Sequence, residues 1–417
     1  MVGVNEIGRL GARLHALTHV FDPPLGAGNG PSFVVKDLID VAGIPTGGGG
    51  VVPVDPNPVR HAACVQSLLD AGWQAVAKTH TVELAYGGWG TNRAVGAPWN
   101  PWDAQVHRIP GGSSSGSAVS VAAGLCDLGL GTDTGGSIRM PASACGIVGL
   151  KPGRGLVPLD GVHDLAPSLD TVGTLARSVD VAARGLEIIA RGGSRGGFSA
   201  SSAMALETRG WAVAALSLES LGAVDADVAV AYVEAIEQLR GAGVSVRFVT
   251  PPRPLEDYFA PNGILISGEG WRIRGAHIEA NRAVMDPWVV KRFEIGRDIS
   301  DADLAAAQAR RQADQAEFHA WLGGFRATVS PTTPMGAPPI DEVEEQGSAF
   351  SRFTRAANYL DLPAASLPCG LSSDGVPMGF QIMANPADET SMVALAATYE
   401  RVSGWNDRRP DLSGFAT

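Results

Sequence analysis

The 417-residue chain carries 43 acidic against 32 basic side chains, a formal net charge of −11, with 45% hydrophobic and 18% charged residues. Such a chain can bury a core and is not disordered, and its acidity argues against a nucleic-acid or anionic-membrane surface as the main partner. No apolar run approaches the ~20 residues that span a bilayer, and the N-terminus lacks the basic start and apolar stretch of a signal peptide. Cys64, Cys126, Cys145 and Cys369 are widely spread, so metal and disulfide frameworks are not expected and a reduced, cytoplasmic setting is.

In chain order, Ile7, Leu10, Leu14 and Leu17 read as a short helix, followed by a Gly/Pro loop over 22–30. His15 and His19 fall four apart on it and are expected to be surface histidines, since a metal would need further ligands. Residues 33–35 (FVV) read as a buried strand ending at Lys36, and 46–50 as a glycine-rich loop. A helix is expected over 60–71, stopped by Gly72, then a strand over 74–77. After a small-residue helix at 117–123, an apolar strand-like run covers 128–130. Further on, the pattern gives a helix over 178–190, a loop over 191–206, and strand–helix–strand over 211–216, 225–241 and 244–249. That order favours a mixed, partly parallel sheet. Residues 251–262 read as a loop, and 301–322 as the longest helix, capped by Ser300, with Arg310, Arg311, Asp314 and Glu317 on a solvated face.

Two glycine-serine clusters dominate the pattern: 111–117 (GGSSSGS) and 131–137 (GTDTGGS). Interleaving with core segments argues against flexible linkers. Paired glycines let backbone N–H groups converge on an anion, and a serine closing such a turn can attack a carbonyl while those groups hold the oxyanion. The literal G-x-S-x-G of Gly112-Ser113-Ser114-Ser115-Gly116 lacks the preceding buried strand that a nucleophile elbow needs.

Over residues 111–151 the chain resembles the amidase signature family of serine hydrolases, and the likeness extends over roughly 31–400. The resemblance implies Ser137 as nucleophile and Ser113, after a cis peptide, as bridging serine. It implies Lys36, in the run Val34-Val35-Lys36-Asp37, as base. It also implies an α/β fold: one large domain over 1–417, with a central mixed, partly parallel twisted sheet covered by helices on both faces. The signature core would span about 31–180, a variable specificity region about 190–299, and the rest of the core about 300–400.

The chemistry asked of these residues is concrete. Neutral Lys36 would draw a proton from Ser113, which draws one from Ser137; the relay then runs backwards to protonate the leaving nitrogen. Lysine's ordinary pKa is about 10.4, so burial must hold Lys36 neutral. The N–H groups of Thr134, Gly135, Gly136 and Ser137 would form the oxyanion hole, with Asp133 and Arg139 holding the loop. Gly112, Tyr86 and Trp89 are candidates for contact with substrate. No metal or cofactor is expected.

A Ser-His-Asp alternative would use His163 with Asp164 or Asp170, but lacks a supporting strand context. The leading expectation is an amidase acting on a small soluble amide (aryl, aliphatic or ureido), with no nucleic acid or membrane partner and a homodimer as its assembly. The alternative is the glutamine-hydrolysing subunit of a tRNA-dependent amidotransferase; relatives of that kind usually carry Gln where this chain has Met140.

Overall fold

Eleven strands form one sheet among the described residues: β1 (Leu17–Leu25), β2 (Ser32–Lys36), β3 (Gln74–Thr79), β4 (Leu128–Asp133), β5 (Val148–Lys151), β6 (Thr171–Ala176), β7 (Ala212–Leu216), β8 (Ser245–Val249), β9 (Ala327–Pro331), β10 (Ala364–Leu371) and β11 (Pro377–Ala384). The computed structural model describes residues 3–347 and 349–415, so residues 1, 2, 348, 416 and 417 of the expected domain lie outside it. The strand order is β1-β3-β2-β4-β6-β5-β10-β11-β9-β7-β8. β2 runs parallel to β3 and β4, and β7 parallel to β8 and β9; the remaining neighbours are antiparallel. The chain thus adopts the expected α/β fold, a large mixed sheet flanked by helices in a single domain.

The middle of the sheet positions the site. Every residue of β2, SFVVK, is buried, as an unbroken apolar run should be when both sheet faces are covered. Its neighbour β4, LGLGTD, is equally buried but carries glycine at alternate positions. A Cβ on Gly131 would lie 2.8 Å from Ser114 Oγ. The missing side chain lets the small-residue helix Ser115–Ala122 (SGSAVSVA) lie close to β4. The first glycine-serine cluster is thereby pressed against the second.

Several expectations are corrected. The first helix ends at Arg13, and Leu17 opens the edge strand β1. His15 has a positive φ of 50° and stacks on His80, while its Nε2 contacts Val95 O, so it is not a surface histidine sharing a helix with His19. The helix expected from residue 60 begins at Ala63. Residues 200–204 form a short helix inside the stretch read as loop.

The largest miss is the helix Phe259–Asn281, whose 23 residues make it longer than Asp301–Leu322. Its sequence mixes glycine and apolar residues around the whole circumference, which hides the 3.6-residue period. On Asp301–Leu322 the Ser300 cap is present, but Arg311 and Asp314 are only 3% and 2% exposed. Arg311 donates to Tyr359 O and Asn358 O, and Asp314 accepts from Tyr359 Oη, so these two are packed, while Arg310 and Glu317 are exposed as expected.

Candidate active site

Lys36 closes β2 and is fully buried. Its Nζ donates to Ser113 Oγ at 2.7 Å and to Thr132 Oγ1, on the adjacent strand β4, at 2.7 Å. Among the described residues no carboxylate pairs with it. Burial lowers its pKa from 10.5 to about 7, against the opposing pull of Asp133 and Asp170. A lysine so placed can be neutral near neutral pH and accept a proton from Ser113. The neighbouring Lys78 differs: it forms a 2.7 Å ion pair with Asp37.

The Gly112–Ser113 peptide is cis, as the resemblance implied. Ser114 N–H donates to Ser137 O at 3.1 Å, and Ser114 Oγ to Thr132 O at 3.3 Å. These bonds tie the loop of Ser113, whose Oγ Lys36 reaches, to the loop of Ser137 that follows β4. Ser137 is 6% exposed and lines a cavity.

Asp133 holds two backbone N–H groups of the loop 134–138. Asp133 Oδ1 accepts from Gly136 N–H at 2.8 Å and Oδ2 from Ile138 N–H at 3.0 Å. Arg139 Nη2 lies 2.8 Å from Asp133 Oδ1, and its guanidinium also bonds Thr354 O, Gln381 Oε1 and Asn358 Oδ1. Burial pushes the Asp133 carboxyl up, but Arg139 outweighs it and holds it below the usual carboxylate range.

This geometry corrects one expectation. The Gly136 N–H, counted among the oxyanion donors, is already bound by Asp133, whereas those of Thr134, Gly135 and Ser137 have no acceptor among the described residues. Gly136 is required for another reason: its φ is +128°, and a Cβ there would lie 2.1 Å from Thr354 Oγ1. Thr354 Oγ1 itself donates to Gly135 O at 2.7 Å. On the opposite side Thr134 Oγ1 donates to Asp170 Oδ1 at 2.5 Å.

Ser137, Thr134 and Gly135 open onto a cavity of about 350 Å³. Tyr86 and Trp89 line it, as do Met140, Phe259, Arg292 and Arg355. Tyr86 Oη shares a 2.6 Å hydrogen bond with Ser267, and Trp89 Nε1 donates to Gly347 O. Gly112 does not line the cavity: its N–H donates to Gly88 O, and a Cβ on it would strike Gly90 N at 2.8 Å. It is a close-approach glycine, not a contact for substrate.

His163 is taken up elsewhere, with Nε2 2.9 Å from Asp40 Oδ1, while Asp170 holds Thr134 and the Leu165 and Ala166 N–H groups. Among the described residues no Ser-His-Asp arrangement forms with Ser137. Thr132, Asn358, Gln381, Arg292 and Arg355 were not singled out from sequence. Thr132 could have been, because it sits one residue before Asp133 on the strand beside Lys36; the others come from distant segments.

The family description Amidase matches residues 26–393. The chain is 32% identical to a glutamyl-tRNA(Gln) amidotransferase subunit from Gloeobacter violaceus, over 95% of this chain and 87% of the relative. A crystal structure described as an amidase, 32% identical, superposes with a TM-score of 0.85 over 96% of this chain and 95% of that one. The corresponding glutamyl-tRNA(Gln) amidotransferase subunit from Thermotoga maritima, 28% identical, gives 0.83 over 95% and 90%. The names of these two relatives overturn the expectation of a chain whose only partner is a small amide, with no nucleic acid and a homodimer as assembly: each is one subunit of an enzyme named for a tRNA. The acidic total charge misled there, because it says nothing of a local docking surface. No helix of the described residues is long and apolar enough to cross a membrane. With the family matched over most of its length, the chain belongs to the amidase signature family and is an enzyme acting on carbon–nitrogen bonds.

Proposed function

We propose that this chain is the glutamine-hydrolysing subunit of a glutamyl-tRNA(Gln) amidotransferase, releasing ammonia through an acyl-enzyme on Ser137. The observation that carries the reading is the near full-length likeness, 32% identity over 87% of the Gloeobacter violaceus protein.

In this mechanism neutral Lys36 takes the Ser113 proton across 2.7 Å as Ser113 takes that of Ser137. Ser137 Oγ bonds to the amide carbon, and the developing oxyanion is held by the N–H groups of Thr134, Gly135 and Ser137. One such donor is worth about 3 kcal/mol in the transition state. The proton returns through Ser113 to the nitrogen, the C–N bond breaks and ammonia leaves. Water then attacks the ester by the same relay and frees the carboxylate and Ser137. Tyr86 and Trp89 wall the substrate, and the variable region 190–299 adds Phe259 and Arg292 to the same cavity. A cytoplasmic setting suits this role and the four free cysteines.

A second reading, an amidase working on a small amide other than glutamine, is favoured by Met140. That side chain lines the cavity where amidotransferase subunits usually carry Gln. The two separate on ammonia release. The first expects glutamine turnover that rises when the partner subunits and glutamyl-tRNA(Gln) are added and vanishes in Ser137→Ala. Indifference to glutamine under both conditions, with Ser137-dependent turnover of other amides, would favour the second.

A further inference from the structure

The cavity in front of Ser137 has an uneven charge. Among the described residues that line it there is no Asp or Glu, and its only charged side chains are Arg292 and Arg355. Arg292 is neutralised: its Nη2 lies 2.8 Å from Glu345 Oε2 and also donates to Glu345 O, while Nη1 donates to Tyr86 O. Arg355 has no carboxylate partner among the described residues. Its Nε donates to Ser351 Oγ at 3.1 Å, and its guanidinium lies 3.8 Å from the centroid of the Phe259 ring.

Phe259 opens the helix Phe259–Asn281, so this stack fixes the Arg355 fork against that helix. Its stem passes beside the oxyanion loop, with Cγ 3.3 Å from where a Cβ on Gly135 would sit. Its Nη1 lies 3.6 Å from the corresponding point on Gly263, an ordinary van der Waals distance, and both residues line the cavity.

A second observation comes from Asn262, on the same helix. Its side chain is fully buried, yet neither Oδ1 nor Nδ2 has a hydrogen-bond partner among the described residues. Asn262 Oδ1 lies 3.7 Å from the Cβ point of Gly135. A buried amide without partners is costly unless a ligand or water satisfies it. A cation without a counter-ion beside such an amide suits a carboxylate, which Arg binds through two parallel N–H bonds.

We infer that Arg355, braced by Phe259 and assisted by Asn262, is the specificity residue that binds a carboxylate on the acyl side of the substrate, so that this enzyme selects anionic amides. The assignment rests on the proposed cleavage at Ser137 but not on glutamine being the substrate. It adds one element to that reading: with no acid among the described residues that line the cavity, no carboxylate there pairs with a substrate ammonium. The monoamide of glutaric acid should therefore bind at least as well as glutamine.

Calorimetric titration of the Ser137→Ala chain tests this, with glutaramate (anionic) against glutaramide (its neutral diamide). Glutaramate should bind at least about tenfold more tightly, as expected for a charged hydrogen-bonded pair. Adding Arg355→Met should remove that preference, and Arg355→Lys should restore part of it. Equal binding of the two ligands, no binding of either, or a preference that survives Arg355→Met in a chain with normal circular dichroism would overturn the assignment. The comparison of ligands on the Arg355-containing chain stands even if the variants fail to fold. Ammonia release from glutamine by the chain with Ser137 intact is measured separately. Its absence both alone and with the partner subunits and glutamyl-tRNA(Gln), beside a retained glutaramate preference, would remove the glutamine reading and leave this one standing.

Discussion

Lys36 Nζ sits 2.7 Å from Ser113 Oγ, inside the sheet and without a carboxylate partner among the described residues. In the proposed relay a lysine so placed is a proton acceptor held ready by burial, whereas Lys78 nearby is paired with Asp37 at 2.7 Å. The two differ by position on neighbouring strands, not by local composition.

The first consequence is a pH profile. Burial lowers the Lys36 pKa to about 7, so the neutral form grows as pH rises through that value. In the proposed relay kcat/KM should climb through about pH 7 and level off about one unit higher. Lys36→Ala should lose about 10²–10⁴-fold in kcat, the range for general-base removal. Initial rates of ammonia release from pH 5.5 to 9 check both. A rate that falls above neutrality would place the base elsewhere.

Burying that lysine also costs stability. Its folded pKa, about 7, lies below the ordinary 10.5, so the unfolded chain binds more protons between those values. Stability contributed at Lys36 therefore rises with pH across that window and is lowest below it. Lys36→Met should abolish activity yet raise the melting temperature, and by more at pH 6.5 than at pH 9.5. Scanning calorimetry at the two values reads the difference; a larger gain at high pH would contradict the sign.

Gly136 is the tightest position of the proposed oxyanion loop. With φ at +128° and Thr354 Oγ1 2.1 Å from the Cβ point, Gly136→Ala must displace the loop or Thr354. Loss of aligned donors should lower kcat about 10²–10³-fold, the cost of one oxyanion donor. Circular dichroism should stay close to that of the parent, since the change is confined to the loop. Thr354→Ser in the same chain should not restore activity, because it keeps the Oγ that the new Cβ meets.

Asp133 and Arg139 are both completely buried; Asp133 holds the Gly136 and Ile138 N–H groups of its own loop, and Arg139 reaches Thr354 and Asn358 on a distant segment. Asp133→Ala leaves the guanidinium uncompensated and frees the Gly136 and Ile138 N–H groups. The expected loss is about 3–5 kcal/mol of unfolding free energy, the usual cost of removing one partner of a buried pair. Urea titration measures it. A loss near that of a surface ion pair would mean that the loop is held by other contacts.

The sequence made the strand ending at Lys36, both glycine-serine clusters and the parallel β7–β8 unit legible, because buried runs, paired glycines and strand–helix–strand order are local signals. The rest was not local. Arg139 meets Asn358 and Gln381 from more than 200 positions away. Arg311 reads as a surface helix residue until Tyr359 is seen to accept from it. Glycines at 263, 268, 270 and 275 disguised the helix that walls the cavity, although their small size lets it pack there. The role first given to the Gly136 N–H failed because proximity to Ser137 in sequence does not reveal that Asp133 already holds that donor.

Whether Ser137 carries the acyl group is read most directly by rapid-quench mass spectrometry of the peptide containing it. Mixed with glutamine or glutaramate at low pH, where the proposed relay is slow, the chain should show Ser137 shifted by the mass of the glutaryl or glutamyl ester. The shift should be absent in Ser137→Ala. Ammonia release with no adduct on Ser137, or turnover that persists in Ser137→Ala, would contradict the account.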